Sequence, residues 1–352
     1  MIIGSFVHGY HNLKKNNSFE LRPALFSIKN NKKKIYSYNF YRNQNEFSNI
    51  NNFYGEKPFK SSRNFKVLPR YGFMGISLLK NDLYCAAYNA IYVIDSNNFN
   101  LKKIISNHLM CNLHSILVTK KYIIYTLNVL DMIIFSDLDG KIIKTLSINP
   151  DLKIIKNKKI PKRDWRFFLK QKKGSEGYFH FNNLTYKSNK IFVTSRNINS
   201  LIEINLEKNI AKLRTMNFKS PCLIHDGFNH NGVFYFTSIN GKIIEAIELK
   251  NKIKKNRLIK SAKVNFDFET KITDIDNNII KGKTNWCRGL SVSKNKIYVG
   301  IDGRYDKKLN FSILELSLKN FKLIKRYIFD FKKIKKKSHT LRFVAPFSVI
   351  NK

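Results

Sequence analysis

The sequence predicts an all-β chain: a single β-propeller of about six blades, closed by the two chain ends. Three observations carry that expectation. One strand grammar recurs along most of the chain, the apolar runs are short and rich in β-branched and aromatic residues, and the material at both ends is irregular. Successive units recur at the period of a four-stranded blade, about 40 to 50 residues plus insertions. A lone blade cannot bury both faces of its sheet, so blades must pack radially. Helical solenoids are excluded, because no run keeps apolar residues at spacings of three and four.

Taken in order, residues 1–68 form a partial blade and a loop. Leu25-Phe26-Ser27-Ile28 and Ile35-Tyr36-Ser37-Tyr38 read as a hairpin, and the Asn- and Ser-rich segment 43–64 reads as loop. Residues 69–330 hold the repeated blades. Met74-Gly75-Ile76 leads into Leu83–Ala87 and Ile91–Asp95, and His114-Ser115-Ile116 into Tyr122–Thr126 and Met132–Phe135. Asn182-Asn183-Leu184 leads into Ile191–Ser195 and Leu201–Asn205. Asp226-Gly227-Phe228 leads into Val233–Ser238 and Lys242–Ala246, and Arg288-Gly289-Leu290 into Ile297–Gly300 and Ser312–Leu316. Residues 331–352 supply a closing strand, which completes the last blade together with the amino-terminal hairpin and leaves no unpaired edge.

Two insertions interrupt the repeat. In the first, 151–177, ten Lys and Arg residues surround Trp165, Phe167 and Phe168. Such a mixture either clamps a phosphate backbone while stacking bases or forms a flap whose aromatic side packs on the propeller rim; the flap is the preferred reading. The second, 263–283, gathers Asp267, Glu269, Asp274 and Asp276. Asp274–Asn278 lacks the Gly and distal Glu of a calcium loop and reads as a hydrated turn.

Lys and Arg number 65 against 24 Asp and Glu, a formal charge of +41. Abundant Lys, Asn, Ile and Phe point to compositional drift as its origin, yet a chain this basic attracts polyanions whatever its origin. Any nucleic-acid binding is expected to be sequence-independent and lost at high salt. Cys85, Cys111, Cys222 and Cys287 fall in four units without CxxC spacing, so a zinc ribbon is unsupported, and buried thiols suit a cytoplasmic monomer. No cationic flank followed by an apolar run opens the chain, and no apolar stretch is long enough to span a bilayer.

The chemistry-bearing residues cluster just before or at the first strand of each unit: Met74, His114, Asn182, Asp226 and Arg288, with Asn112, His180, His225 and Trp286 beside them. A closed ring brings these positions to one mouth of the central channel. There His225 or His180 would serve as general base and Arg288 as an anion clamp, with His114, Asn182, Asp226 and Trp286 lining a ligand site. One divalent metal ion on Asn182, Asp226 and His225 is a further expectation. The competing reading gives these groups to hydrogen bonds that tie one blade to the next. No GxSxG elbow, phosphate-binding glycine loop or HExxH helix is present.

On Arg70–Ile76, Asn112–Ser115, His180–Leu184, Ser220–Gly227 and Trp286–Leu290, the chain resembles the six-bladed propeller superfamily of strictosidine-synthase-like and gluconolactonase-like proteins. It looks closest to a bacterial group of uncharacterised propellers, over roughly residues 70 to 320. The resemblance implies a central divalent ion held by carboxylate, asparagine and sometimes histidine, for which Asn182 and Asp226 match and Met74 departs. Two functions follow as expectations. One is a small-molecule site in the channel, extending to a metal-assisted hydrolase or lyase. The other is a non-catalytic platform that binds a protein or an acidic polymer through basic loops.

Overall fold

In this computed structural model, the described residues are 1–10, 24–39, 50–56, 70–148, 151, 153–156, 164–166, 177–187, 190–208, 210–218, 222–249, 258–259, 262–263, 267–275, 285–302, 311–330 and 341–352. Among them the regular structure is β throughout, and no helix is long and apolar enough to cross a membrane. Their strands make six blades, each an antiparallel sheet of four consecutive strands, inner edge first, with the exceptions noted below.

Blade one is Gly75–Leu79, Asp82–Ala86, Ile91–Asp95 and Leu101–Ser106. Blade two is Leu113–Val118, Ile123–Leu127, Met132–Ser136 and Ile142–Ile148. Blade three is Phe181–Lys187, Lys190–Ser195, Ser200–Asn205 and Ile210–Arg214. Blade four is Ile224–His230, Val233–Ser238, Lys242–Glu248 and Phe268–Asp274. Blade five is Cys287–Val292, Lys296–Ile301, Phe311–Ser317 and Leu323–Phe329.

Blade six is split between the ends. Its innermost strand is Leu341–Asn351, followed outward by Ile2–Tyr10, Ala24–Lys29 and Lys32–Ser37. Ile2 sits opposite Asn351 and Ser5 opposite Ser348, so the two ends form one ladder. The short strand Arg70–Gly72 pairs with Val7–Gly9, where the chain leaves blade six for blade one. Small strands cover three outer edges: Phe53–Gly55 on blade one, Ile154–Lys156 on blade two and Met216–Asn217 on blade four. Covered edges do not recruit foreign strands.

The segment read as a second insertion, 263–283, contains the outer strand of blade four, Phe268–Asp274. Its alternation of Phe268, Thr270 and Ile272 with charged residues is the half-exposed pattern of an outer strand, which the acidic residues disguised in the sequence. Asp274, placed in a hydrated turn, ends that strand 3.1 Å from Lys242. Asp276 lies outside the described residues.

Six apolar cores hold the ring, one between each pair of neighbouring blades. The middle strands feed two of them at once. In Ile123–Leu127, Ile123, Tyr125 and Leu127 face blade one, whereas Ile124 faces blade three. Burial on both faces is why these strands read as continuous apolar runs, while an outer strand such as Leu323–Phe329 buries only Tyr327 and Phe329. All four cysteines are buried and free.

Candidate functional site

The inner strands begin with a bulge. In blades two to five the ladder slips between Leu113 and Ile116, Phe181 and Asn183, Ile224 and Gly227, and Arg288 and Leu290. Aligning these bulges puts His114, Asn182, His225 and Arg288 at one equivalent position, and Ser115, Asn183, Asp226 and Gly289 at the next. The sequence column had Asp226 in the place that belongs to His225. A bulge adds one residue to one strand, and turn spacing alone does not register it.

The histidines of the column meet. The ring of His114 lies 5.3 Å from that of His180 and 5.4 Å from that of His225, centroid to centroid. His180 and Asn112 immediately precede the bulge strands of their blades, and both have left-handed backbone, φ 49° and 53°. His225 Nδ1 lies 3.1 Å from Asp226 Oδ1. Arg288 places its guanidinium 4.3 Å from the ring centroid of half-buried Trp286. Met74 is buried at the corresponding point of blade one.

These groups are engaged from blade to blade. His114 Nδ1 faces the backbone oxygen of Asn182 at 3.3 Å, so that nitrogen carries the proton, since a carbonyl only accepts. Asn182 Nδ2 donates to Ile224 O at 3.4 Å, and Thr194 Oγ1 donates to His225 O at 2.6 Å. Ser115 Oγ accepts from Leu184 N at 2.9 Å, and Asn183 Nδ2 donates to Gly227 O. Gly289 N donates to Asp226 Oδ2 at 2.6 Å. Ser77 Oγ accepts from Val118 N at 2.9 Å. A run of polar contacts therefore links blades one through five. Ser115, Asn183 and Thr194 carry much of it and escaped the sequence reading, although Ser115 and Asn183 directly follow residues it singled out.

Burial decides what this cluster can do. His225 is 0 % exposed, His114 and Asn182 1 %, His180 2 % and Arg288 8 %. An imidazole beside a carboxylate is the geometry of an oriented base, yet here it is packed into the axis. Among the described residues, no group of three or more His, Cys, Asp or Glu side chains is arranged to hold a metal ion. The histidines touch through their rings, and Asp226 is already bound by Gly289 and Thr237. The donor set does not fit the divalent ion that the resemblance implied.

Gly289 has φ 73°, and a Cβ there would stand 3.0 Å from Val349 of the closing strand. The bulge thus lets blade five approach blade six while presenting its N–H to Asp226.

Burial raises the Asp226 carboxyl from 3.8 to about 6, against the lowering effects of the Gly289 N–H, Arg288 and Thr237. The unfolded chain releases this proton at lower pH than the native one, so ionisation weakens the fold as pH rises from 3.8 to about 6. Asp226→Asn keeps an acceptor for Gly289 and removes the charge. Its unfolding free energy should match wild type near pH 4 and exceed it by up to about 3 kcal/mol at pH 7. Denaturant unfolding at the two pH values checks this, and a wild type more stable than the variant at pH 7 would mean that Asp226 is held as an ion pair.

Of the segment 151–177, residues 151, 153–156, 164–166 and 177 are described, and Ile154–Lys156 is the edge strand of blade two. Arg166 is fully buried; its Nε and Nη2 donate to Asp164 Oδ1 and Oδ2 at 3.0 and 2.7 Å, and its Nη1 to Glu56 O at 2.7 Å. Trp165 packs on the core between blades one and two, and its backbone N–H donates to His108 O at 2.7 Å. His108 Nδ1 in turn meets the carboxylate of Glu56. Phe167 and Phe168 lie outside the described residues.

Comparison with solved structures finds a likeness of fold at low sequence identity. A chain in the crystal structure of a nidogen/laminin complex aligns over 99% of this chain and 97% of its own length, with TM-score 0.53 and 9% identity. The Cps50 (Swd1) β-propeller domain of Myceliophteria thermophila aligns over 75% of each chain, with TM-score 0.44 and 8% identity. The likeness is one of fold. No family model and no curated protein matches the sequence. What stands is the six-bladed propeller; the narrower strictosidine-synthase-like or gluconolactonase-like membership rests on the short motifs alone.

Proposed function

We propose that this propeller is a non-catalytic, monomeric, cytoplasmic platform that binds an acidic polymer through its lysine-rich surface. The observation that carries the reading is the state of the axis. The polar residues that would form a channel site are buried and turned into blade-to-blade contacts, which leaves the outer surface to meet partners. That surface belongs to a chain of net charge +41, and long-range attraction of polyanions follows directly.

Retention on a phosphocellulose column tests it. Wild type should bind at low salt and elute on a moderate salt step, and His225→Ala should elute at the same salt. Failure of wild type to bind at low ionic strength overturns the proposal.

One observation favours the channel reading: Asn182 Oδ1 and Asn112 Oδ1 are buried without a hydrogen-bond partner among the described residues. Two orphan acceptors can hold a small donor-bearing ligand. On that reading, a screen of small polar compounds by thermal shift would find one that stabilises wild type and not Asn182→Ala.

A further inference from the structure

Most described lysines with a structural role sit against a carboxylate. Lys102 reaches Asp82 and Asp95, Lys103 reaches Asp139, Lys190 reaches Glu203 and Lys296 reaches Glu315, at 2.5 to 2.9 Å. Blade six breaks this habit. Lys29 and Lys32 are direct cross-strand partners, and Lys34 lies two residues on, opposite Ser27. Side chains two apart share a face of a strand, so the three ammonium groups and Tyr36 stand on one side of the outer hairpin. Like charges directly opposite one another weaken a sheet. Among the described residues none of the three has an ion-pair partner.

That side of the hairpin faces blade one across a cleft of about 450 Å³ whose lining includes Lys29, Lys32, Lys34, Tyr36, Asn97 and Phe99. Tyr36 stacks on Phe99 at 3.9 Å and 7°, which fixes the floor. No Asp or Glu lines the cleft among the described residues. Asp95, two residues from Asn97, is taken by Lys102 at 2.9 Å and by Asn97 N at 2.8 Å. Lys352 adds a further cation at the edge, its Nζ 2.6 Å from Asn97 Oδ1. An adjoining cleft of about 320 Å³, toward blade five, contains Glu315 and is partly neutralised by it.

We propose that the cleft between blades six and one is a phosphate-binding site that receives a run of phosphate groups, with Lys29, Lys32 and Lys34 as the contacting cations and Asn97 as a neutral donor. The inference rests on the platform reading and gives it a place and a chemistry. An uncompensated triplet of ammonium groups in a carboxylate-free cleft is repulsive when empty, and an oligophosphate removes that repulsion on binding. Three contacts to a single-stranded nucleic-acid backbone contribute a slope of about −2 to log K against log salt.

The full chain is compared with Lys29→Gln/Lys32→Gln/Lys34→Gln and with a control that loses as many charges elsewhere, Lys120→Gln/Lys121→Gln/Lys141→Gln. Affinity for sodium tripolyphosphate and for a fluorescent oligothymidylate is measured from 50 to 200 mM salt. The cleft variant should lose at least 10-fold in affinity for both probes and flatten the salt slope for the oligonucleotide by about 2. The control should change little. Tripolyphosphate binding without oligothymidylate binding identifies a free oligophosphate as the ligand, and binding of both identifies a nucleic-acid backbone. The cleft variant should also melt no lower than wild type, since it removes like-charge repulsion. Equal losses in both variants overturn the cleft and leave the platform standing; no binding by wild type overturns both.

Discussion

Phe26→Ala is expected to lower the unfolding free energy by about 3–5 kcal/mol, the cost of emptying a filled aromatic site. Phe26 is fully buried on blade six and meets two rings of blade five, Phe329 at 4.9 Å and Phe311 at 5.7 Å; those two are themselves stacked at 4.7 Å. The site has no slack on its other side, because a Cβ on Gly4 would fall within 2.2 Å of the Phe26 ring. The loss therefore falls on the joint that closes the ring. For a chain of this length it should lower Tm by about 4 to 7 °C. Phe26→Leu should restore more than half of the loss. A variant within about 1 kcal/mol of wild type would mean that the joint is held by the strand ladder and not by its aromatic core.

The second large effect is expected at Asp164. Removing one partner of a buried ion pair costs about 3–5 kcal/mol, because the remaining charge is left without compensation. Asp164→Ala removes the two bonds that Arg166 Nε and Nη2 make to the carboxylate, while Nη1 keeps its bond to Glu56 O. The chain has a cheaper response than global unfolding, namely to release residues 164–166 from the surface of blades one and two. Limited proteolysis should therefore cut the variant within 151–177 much faster than wild type, while the denaturant midpoint moves less than the pair energy. Asp164→Ala/Arg166→Met, which removes the stranded charge, should regain most of the protection. Equal cleavage of wild type and the single variant would show that the segment is held by Trp165 alone.

The parts of the fold that could be read from sequence are those buried on both sides. Ile123–Leu127 and Ile91–Asp95 carry largely apolar runs because each serves two cores, and their spacing set the blade count. Outer strands show half a signal. Phe268–Asp274 reads as an insertion because its exposed face is charged, and in the hairpin the signal covers Ile35–Tyr38 while the strand starts earlier, at the exposed Lys32. At the axis the residue types were visible and His114, Asn182 and Arg288 fall in register, but in blade four the bulge between Ile224 and Gly227 moves the position from Asp226 to His225. The role of Arg166 was hidden for another reason. One buried arginine among nine other cations looks like the rest until Asp164, the single acid beside it, is seen to be its partner.

The order in which blade six is assembled bears on how the chain is made. Strand Ile2–Tyr10 leaves the ribosome long before its inner neighbour, Leu341–Asn351. At about 5–20 residues per second, the early strand waits roughly 20 to 70 s with one edge open. During that interval the first five blades can stack in order, each on its predecessor, while the nascent chain carries an unsatisfied ladder. A chaperone or a competing strand would act on that edge, and translation speed through the lysine-rich carboxy-terminal stretch sets how long it has to do so.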